Sequence, residues 1–171
     1  MPFPAPVASP AQIMLVRATT EPVLDAAREL LREYARSLPV ADLYFQNFDA
    51  ELAALPGVYA APTGHLLLAY VDGALAGCGA LRALPDTSHA NACEMKRMYV
   101  RPAFRQFGVG RLLARALLDA ARRAGYAAML LHTLDDMVSA RGLYATLGFK
   151  AIAPYYDNPT RSDHYLKVEL D

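Results

Sequence analysis

Cysteine is scarce in this chain: 171 residues hold only Cys78 and Cys93, with no C-x-x-C pair. That usage excludes a disulfide-built scaffold and a thiolate zinc cage, and it fits a reducing cytoplasm. Net charge is lacking too, with 17 Lys and Arg against 17 Asp and Glu. No global basic surplus marks nucleic acid or an anionic membrane as a partner. Long apolar runs are missing: even the stretch from Leu66 to Val71 stops at Asp72, well short of the roughly 18 to 20 residues that cross a bilayer. The opening MPFPAPVASP carries four prolines and no charged side chain, which is not the pattern of a secretory signal. Residues 1–11 therefore read as a flexible proline-rich tail, and residues 12–171 as one domain, since about 100 to 200 residues make a compact unit. His65, His89, His132 and His164 are scattered without an H-x-x-x-H pair, so no metal is expected. Ser139 lacks a G-x-S-x-G elbow, which argues against a serine hydrolase.

What is present is an apolar majority, 54% hydrophobic against 20% charged, ample for a sizeable core. Residues 13–17 lean towards strand, and Thr20 with Pro22 opens a helix. Along it Val23, Ala27, Leu30, Leu31, Tyr34 and Leu38 recur at helical spacing. Residues 40–64 read as irregular, apart from a short helix capped by Asp49 and ending near Leu55. Asp72-Gly73, flanked by β-leaning runs at 65–71 and 74–81, is a two-residue hairpin signal. A strand at 92–100 ends at Pro102, a helix follows at 110–124 with Gly125 closing it, then a buried strand at 128–133. A helix at 137–147 and strands at 149–153 and 164–170 complete the chain. Strand, helix and strand within about 40 residues imply a right-handed parallel crossover. The class is α/β, or α+β in looser usage, with a mixed, mostly antiparallel sheet.

The stretch MYVRPAFRQFGVGRLLARAL, residues 98–117, is a strand end, a loop with Gly108 and Gly110, and a helix start. Glycines let a ligand approach the backbone closely, while the unpaired first-turn amides and the helix dipole favour an anion. From Lys96 to Arg123 eight basic residues face one acid, Asp119. A P-loop is excluded because no Gly-Lys pair occurs, and a dinucleotide fingerprint fails because Leu113 stands at the third glycine. A tight turn beside a solvated arginine face would use the same residues, so the loop alone leaves both explanations open.

Arg105, Gly108 and Gly110 fill the pattern [QR]-x-x-G-x-[GA], and Ala140, Tyr144, Gly148 and Phe149 continue an Ala-x-x-x-Tyr-x-x-x-Gly-Phe run. Over residues 92–152 the chain thereby resembles the GNAT superfamily of acyl-CoA-dependent N-acyltransferases. The resemblance implies a GNAT-like domain with a splayed parallel strand pair, here 92–100 and 128–133, and flanking helices. It implies acetyl-CoA as co-substrate, its pyrophosphate on the amides of Gln106, Phe107, Gly108, Val109, Gly110 and Arg111. Met98, Tyr99 and Val100 would hydrogen-bond the pantetheine, and an amide near Tyr99 or Met98 would face the developing oxyanion. Tyr144 would protonate or steady the departing thiolate. Glu94 would accept the ammonium proton directly or through water; an ion pair with Lys96 or Arg97 is the competing use of that carboxylate. Two departures stand out: Met137 replaces a frequent asparagine, and Gln106 replaces a common glycine.

By this resemblance the acceptor is a primary amine of a small molecule or peptide, and a homodimer is among the expected assemblies. A non-catalytic acyl-CoA sensor of the same fold is the rival reading. Tyr44, Phe45, Phe48 and Tyr59, and later Tyr155, Tyr156, Asp157 and Asn158, either line an acceptor pocket or serve as peripheral core and turns. His132 with Asp135 or Asp136 forms a further candidate contact, although Asp135 also suits a helix cap.

Overall fold

The computed structural model describes residues 8–38, 47–85, 87–134, 137–155 and 163–171. In chain order the elements are β1 (Ile13–Arg17), α1 (Glu21–Ser37), α2 (Phe48–Ala54), β2 (His65–Val71), β3 (Ala74–Ala83), β4 (Ala92–Val100), α3 (Val109–Arg123), β5 (Ala128–Leu134), α4 (Val138–Thr146), β6 (Lys150–Ile152) and β7 (Asp163–Glu169). Short 3-10 turns at Gly57–Tyr59 and Pro102–Phe107 link α2 to β2 and β4 to α3.

The strands form one sheet in the order β1-β2-β3-β4-β5-β7-β6. Every neighbouring pair is antiparallel except β4 and β5, which run parallel around the crossover helix α3. The hairpin expected at Asp72-Gly73 is there, with φ of 48° and 83° at the two turn residues, the positive pair that a type I′ turn needs. Gln12 extends it by donating its backbone N–H to Asp72 Oδ1 at 2.9 Å.

Apolar side chains cover both faces of the sheet. On one face α3 buries Val109, Leu113, Leu117 and Ala121, a helical three-to-four spacing, against Met95, Met129 and Leu131. On the other, Leu30 and Leu31 of α1 and Leu52 of α2 pack on Leu66, Leu68 and Ala80. Each fully buried leucine contributes about 1.5 to 3 kcal/mol of transfer free energy, so this double covering fixes which strand residues point to which helices.

Three local expectations are revised. Asn47, at φ 59°, and not Asp49, occupies the cap position of α2, because the helix starts one residue before Asp49. Thr20 stands at the cap of α1 but makes no side-chain cap bond; Pro22 in the first turn is what suits that start. Met137 holds the cap position of α4, and Asp135 and Asp136 lie outside the described residues. So do Tyr44, Phe45, Tyr156, Asp157, Asn158 and residues 1–7 of the expected tail. No helix among the described residues is long and apolar enough to cross a membrane.

Candidate active site

The parallel pair β4–β5 is short. Ala92 pairs with Ala128, Cys93 with Met129 and Glu94 with Leu130, and there the pairing ends. Strand β5 continues to Leu134 on β7, while β4 continues to Val100 on β3. The two strands thus diverge, and the gap between them is a cleft of about 700 Å³ counting its open mouth. Met95, Lys96, Arg97 and Met98 form one wall and Leu131, His132, Thr133 and Leu134 the other. Met137, Ala140 and Tyr144 close the α4 side, and Tyr34 and Leu38 the α1 side.

A bulge makes β4 turn away. Cys78 pairs with Tyr99 but Ala80 pairs with Lys96, so β4 carries one extra residue opposite Gly79, and Arg97 takes a positive φ of 60°. Three contacts hold this conformation. Cys78 Sγ donates to the Arg97 carbonyl at 3.3 Å, and burial pushes that thiol up to about 12, so it stays a donor. Arg97 grips Glu51 of α2 through Nε and Nη2, both at 3.1 Å. Its guanidinium also lies 5.7 Å over the Phe48 ring. Gly77 is required opposite: a Cβ there would stand 2.7 Å from the Tyr99 carbonyl oxygen. The sequence reading did not single out Gly77, Cys78 or the bulge.

At the end of β4 the chain turns into α3. Arg105 Nε donates to the Val100 carbonyl at 3.0 Å, folding the loop back on the strand that precedes it. Gly108 has φ 74°, and a Cβ there would meet nothing within 4 Å. Gly110 is equally roomy, since a Cβ would reach Leu143 Cδ2 at 3.6 Å. Neither glycine is demanded by crowding within the chain. No side chain caps α3, so its first-turn amides are not engaged by a side-chain cap and the helix dipole points at that space. Arg111 Nη2 ties the turn to α4 through Thr146 Oγ1 at 3.0 Å. The surroundings fit a pyrophosphate group.

The eight basic residues counted from Lys96 onwards do not all serve that loop. Arg101 reaches the other face, donating to Glu33 Oε2 at 3.0 Å and to the Leu75 carbonyl at 3.0 Å. Arg97 is held by Glu51, and Arg122 by Asp119.

Tyr144 is 6% exposed, lines the cleft and meets Phe149 edge-on at 5.7 Å. Burial raises its phenol above the ordinary tyrosine range, which keeps the hydroxyl protonated. Glu94 lies elsewhere. It is 1% exposed, outside the cleft lining, and accepts from Tyr155 Oη at 2.7 Å and Arg82 Nε at 3.1 Å. Lys96 Nζ is 3.9 Å away. The expected partner Arg97 is absent from this group because the bulge sends it to Glu51.

Among the aromatic candidates Tyr155 serves Glu94, Tyr59 is a core residue 2% exposed, and Phe48 lies beneath Arg97; none of the three lines the cleft. His132 does, stacked on Tyr165 at 5.8 Å. Tyr34, read from the sequence as one of the helix's apolar face, also lines it and stacks on Tyr99 at 5.5 Å.

The model of the acetyltransferase (GNAT) family matches residues 24–149. An uncharacterized N-acetyltransferase of Schizosaccharomyces pombe is 38% identical over 148 residues, covering 86% of this chain and 88% of the relative. The IAA acetyltransferase of Azospirillum brasilense is 34% identical over 81% of this chain and 86% of its own. Among solved structures, YncA of Salmonella typhimurium, determined with its cofactor acetyl-CoA, superposes with a TM-score of 0.70 at 20% identity, covering 93% of this chain and 94% of that one.

Proposed function

The chain belongs to the GNAT family of acetyltransferases, and from that premise we propose that it transfers acetyl from acetyl-CoA to a primary amine by direct attack in a ternary complex. One observation carries the reading: the gap where β4 and β5 part is lined by a buried, protonated tyrosine, Tyr144. The first-turn amides of Val109, Gly110 and Arg111, with Gly108 before them, would take the pyrophosphate, Gln106 and Phe107 flank it, and Arg105 braces the loop. The strand at Met98, Tyr99 and Val100, freed from β5, would hydrogen-bond the pantetheine arm. An amide near Tyr99 or Met98 would donate to the oxyanion that grows on the acyl oxygen.

In the transfer the acceptor nitrogen forms a bond to the acyl carbon and the carbon–sulfur bond breaks. The thiolate leaves with the Tyr144 proton, the attacking nitrogen sheds its remaining extra proton to solvent, and solvent returns a proton to the phenol. A thiol pKa of about 8.5 makes that assistance modest yet useful near neutrality. Glu94 acts at one remove, because its burial denies it direct contact with the acceptor; the ammonium proton would reach it across a bridging water or Lys96. Glu94→Gln should then depress the rate most at low pH, where the amine is protonated, and a flat comparison across pH would take Glu94 out of the mechanism. The two cysteines are buried free thiols, consistent with the cytoplasm as the place of reaction.

The test is a thermal shift with acetyl-CoA, with ATP and inorganic phosphate at equal concentration as controls. Ligand at about 100 times Kd stabilises by roughly 2.7 kcal/mol, a rise of about 5 to 10 °C for a domain of this size. An equal rise with ATP would reduce the loop to a general anion site. Binding without thiol release from any amine would favour a sensor.

A further inference from the structure

Lys96 lines the cleft, and the transfer mechanism asks of it at most a proton relay. It follows Met95, which packs in the α3 core, so the alternation of the strand sends Lys96 to the opposite face. Its cross-strand partner Ala80 confirms the side, being buried in the α1–α2 core. The α3 helix start belongs to the other face, so a cofactor arm running from α3 along β4 leaves the Lys96 side to the acceptor.

The charge lining the cleft among the described residues is of one sign. Among the described residues lining the cleft, the charged or titratable nitrogen groups are Lys96, Arg97 and His132, and no carboxylate is present. The carboxylates of Glu51 and Glu94, among the described residues, lie outside the cleft lining and are engaged, Glu51 by Arg97 and Glu94 by Arg82 and Tyr155. Lys96 Nζ approaches Glu94 at 3.9 Å, too long for a hydrogen bond. Its side chain is 22% exposed, and no described residue accepts a hydrogen bond from it. Glu94 thus stands within ion-pair distance of the ammonium from outside the cleft, while Lys96 itself lines the cleft. A compact point charge of this kind is suited to an anion, and it repels a second ammonium.

Resting on the transferase reading, we propose that the acceptor is an amine that also carries a carboxylate, an amino acid or a close relative, and that Lys96 is the residue that binds that carboxylate. Binding the carboxylate neutralises the wall and holds the amine of the same small molecule beside the bulge, where the acyl carbon would sit. Polyamines and other polycations are disfavoured by the same charge. Glu94 and Tyr155 then act as positioning residues for Lys96.

Acetyl-CoA-dependent thiol release is measured for amino acids paired with their primary carboxamides, with cadaverine as the polycation. The wild type should favour the acid over the amide by at least about tenfold in kcat/KM, a difference of about 1.4 kcal/mol, expressed mainly in KM. Lys96→Met should collapse the acid-to-amide ratio towards one, and Lys96→Arg should keep most of it. A wild-type ratio at or below one, efficient turnover of cadaverine, or a ratio that persists in Lys96→Met overturns the proposal and leaves the transferase reading standing. A second measurement does not depend on turnover: calorimetric titration of N-acetyl amino acids into the protein saturated with coenzyme A. Weaker binding of the acid in Lys96→Met, with the N-acetyl carboxamides as reference, supports the assignment; equal binding overturns it. Absence of thiol release with every amine counts against the transferase reading alone, and the titration still decides on Lys96.

Discussion

Burial acts on two groups of the cleft in opposite senses, and each yields a prediction. For Tyr144 it keeps the phenol protonated, so Tyr144→Phe removes a proton donor and little else. Turnover should fall on the order of 100-fold, the low end for a general acid, while the KM for acetyl-CoA stays nearly unchanged; unaltered turnover would end the role. For Lys96 burial lowers the ammonium to about 8, with Arg97 and Arg82 adding to the fall and Glu94 and Glu51 opposing it; His132 and Tyr34 face it across the cleft. Below pH 8 the folded protein bears the cost of that charge. Between pH 8 and about 10.4 the unfolded chain binds a proton that the folded one lacks, so stability rises with pH. Lys96→Met should therefore be more stable than wild type at pH 7, the gap closing towards pH 10. Urea midpoints at both values check it, and a constant gap would exclude burial as the cause. Tyr144 was legible because it falls in a spaced pattern with Gly148 and Phe149. Lys96 was not, since an alternating Glu-Met-Lys-Arg run gives no hint that the lysine faces a cleft while the glutamate lies enclosed.

The strand bulge governs the site at the level of the element. Periodicity located the hairpin, α3 and the crossover to within a few residues, because each depends on local signals: positive φ at Asp72-Gly73, a three-to-four apolar spacing, a glycine closing the helix. The bulge depends instead on how β4 registers against β3, a pairing between residues some twenty positions apart that no local pattern of Met-Lys-Arg-Met-Tyr-Val announces. Gly77→Ala tests how closely that register is set. The new Cβ would stand 2.7 Å from the Tyr99 carbonyl oxygen, and backbone has little freedom to withdraw. Overpacking of this kind costs about 1 to 3 kcal/mol. Because the atom displaced belongs to β4 where the pantetheine would lie, acetyl-CoA affinity should fall together with thermal stability. Loss of stability with affinity intact would show that the cofactor strand adjusts independently of β3.

Across the whole molecule, the balanced charge conceals a division between faces. Arg97 and Arg101 turn from the loop side to meet Glu51, Glu33 and Glu29, partners 46 to 72 residues away. These pairs fasten α1 and α2 over the sheet, and the long separations are why a count along the sequence assigned both arginines to the anion loop. Their carboxylates also make the fold sensitive to acid. Hydrogen bonds from Arg101 outweigh burial and hold Glu33 below its usual range. Burial pushes Glu51 up, but the charge and hydrogen bonds of Arg97, with Tyr59, bring it lower overall. Both folded values lie under the unfolded value of about 4.3, so their contribution is present above that pH and is lost as pH falls through the lowered values. Wild-type urea midpoints should drop steeply below about pH 4.3. Glu51→Gln should lose on the order of 3 kcal/mol at neutral pH, since it leaves the buried Arg97 without its carboxylate, and its decline in acid should be shallower because one of the two titrating groups is gone. An acid decline as steep as that of wild type would place the limit outside the Glu51–Arg97 pair.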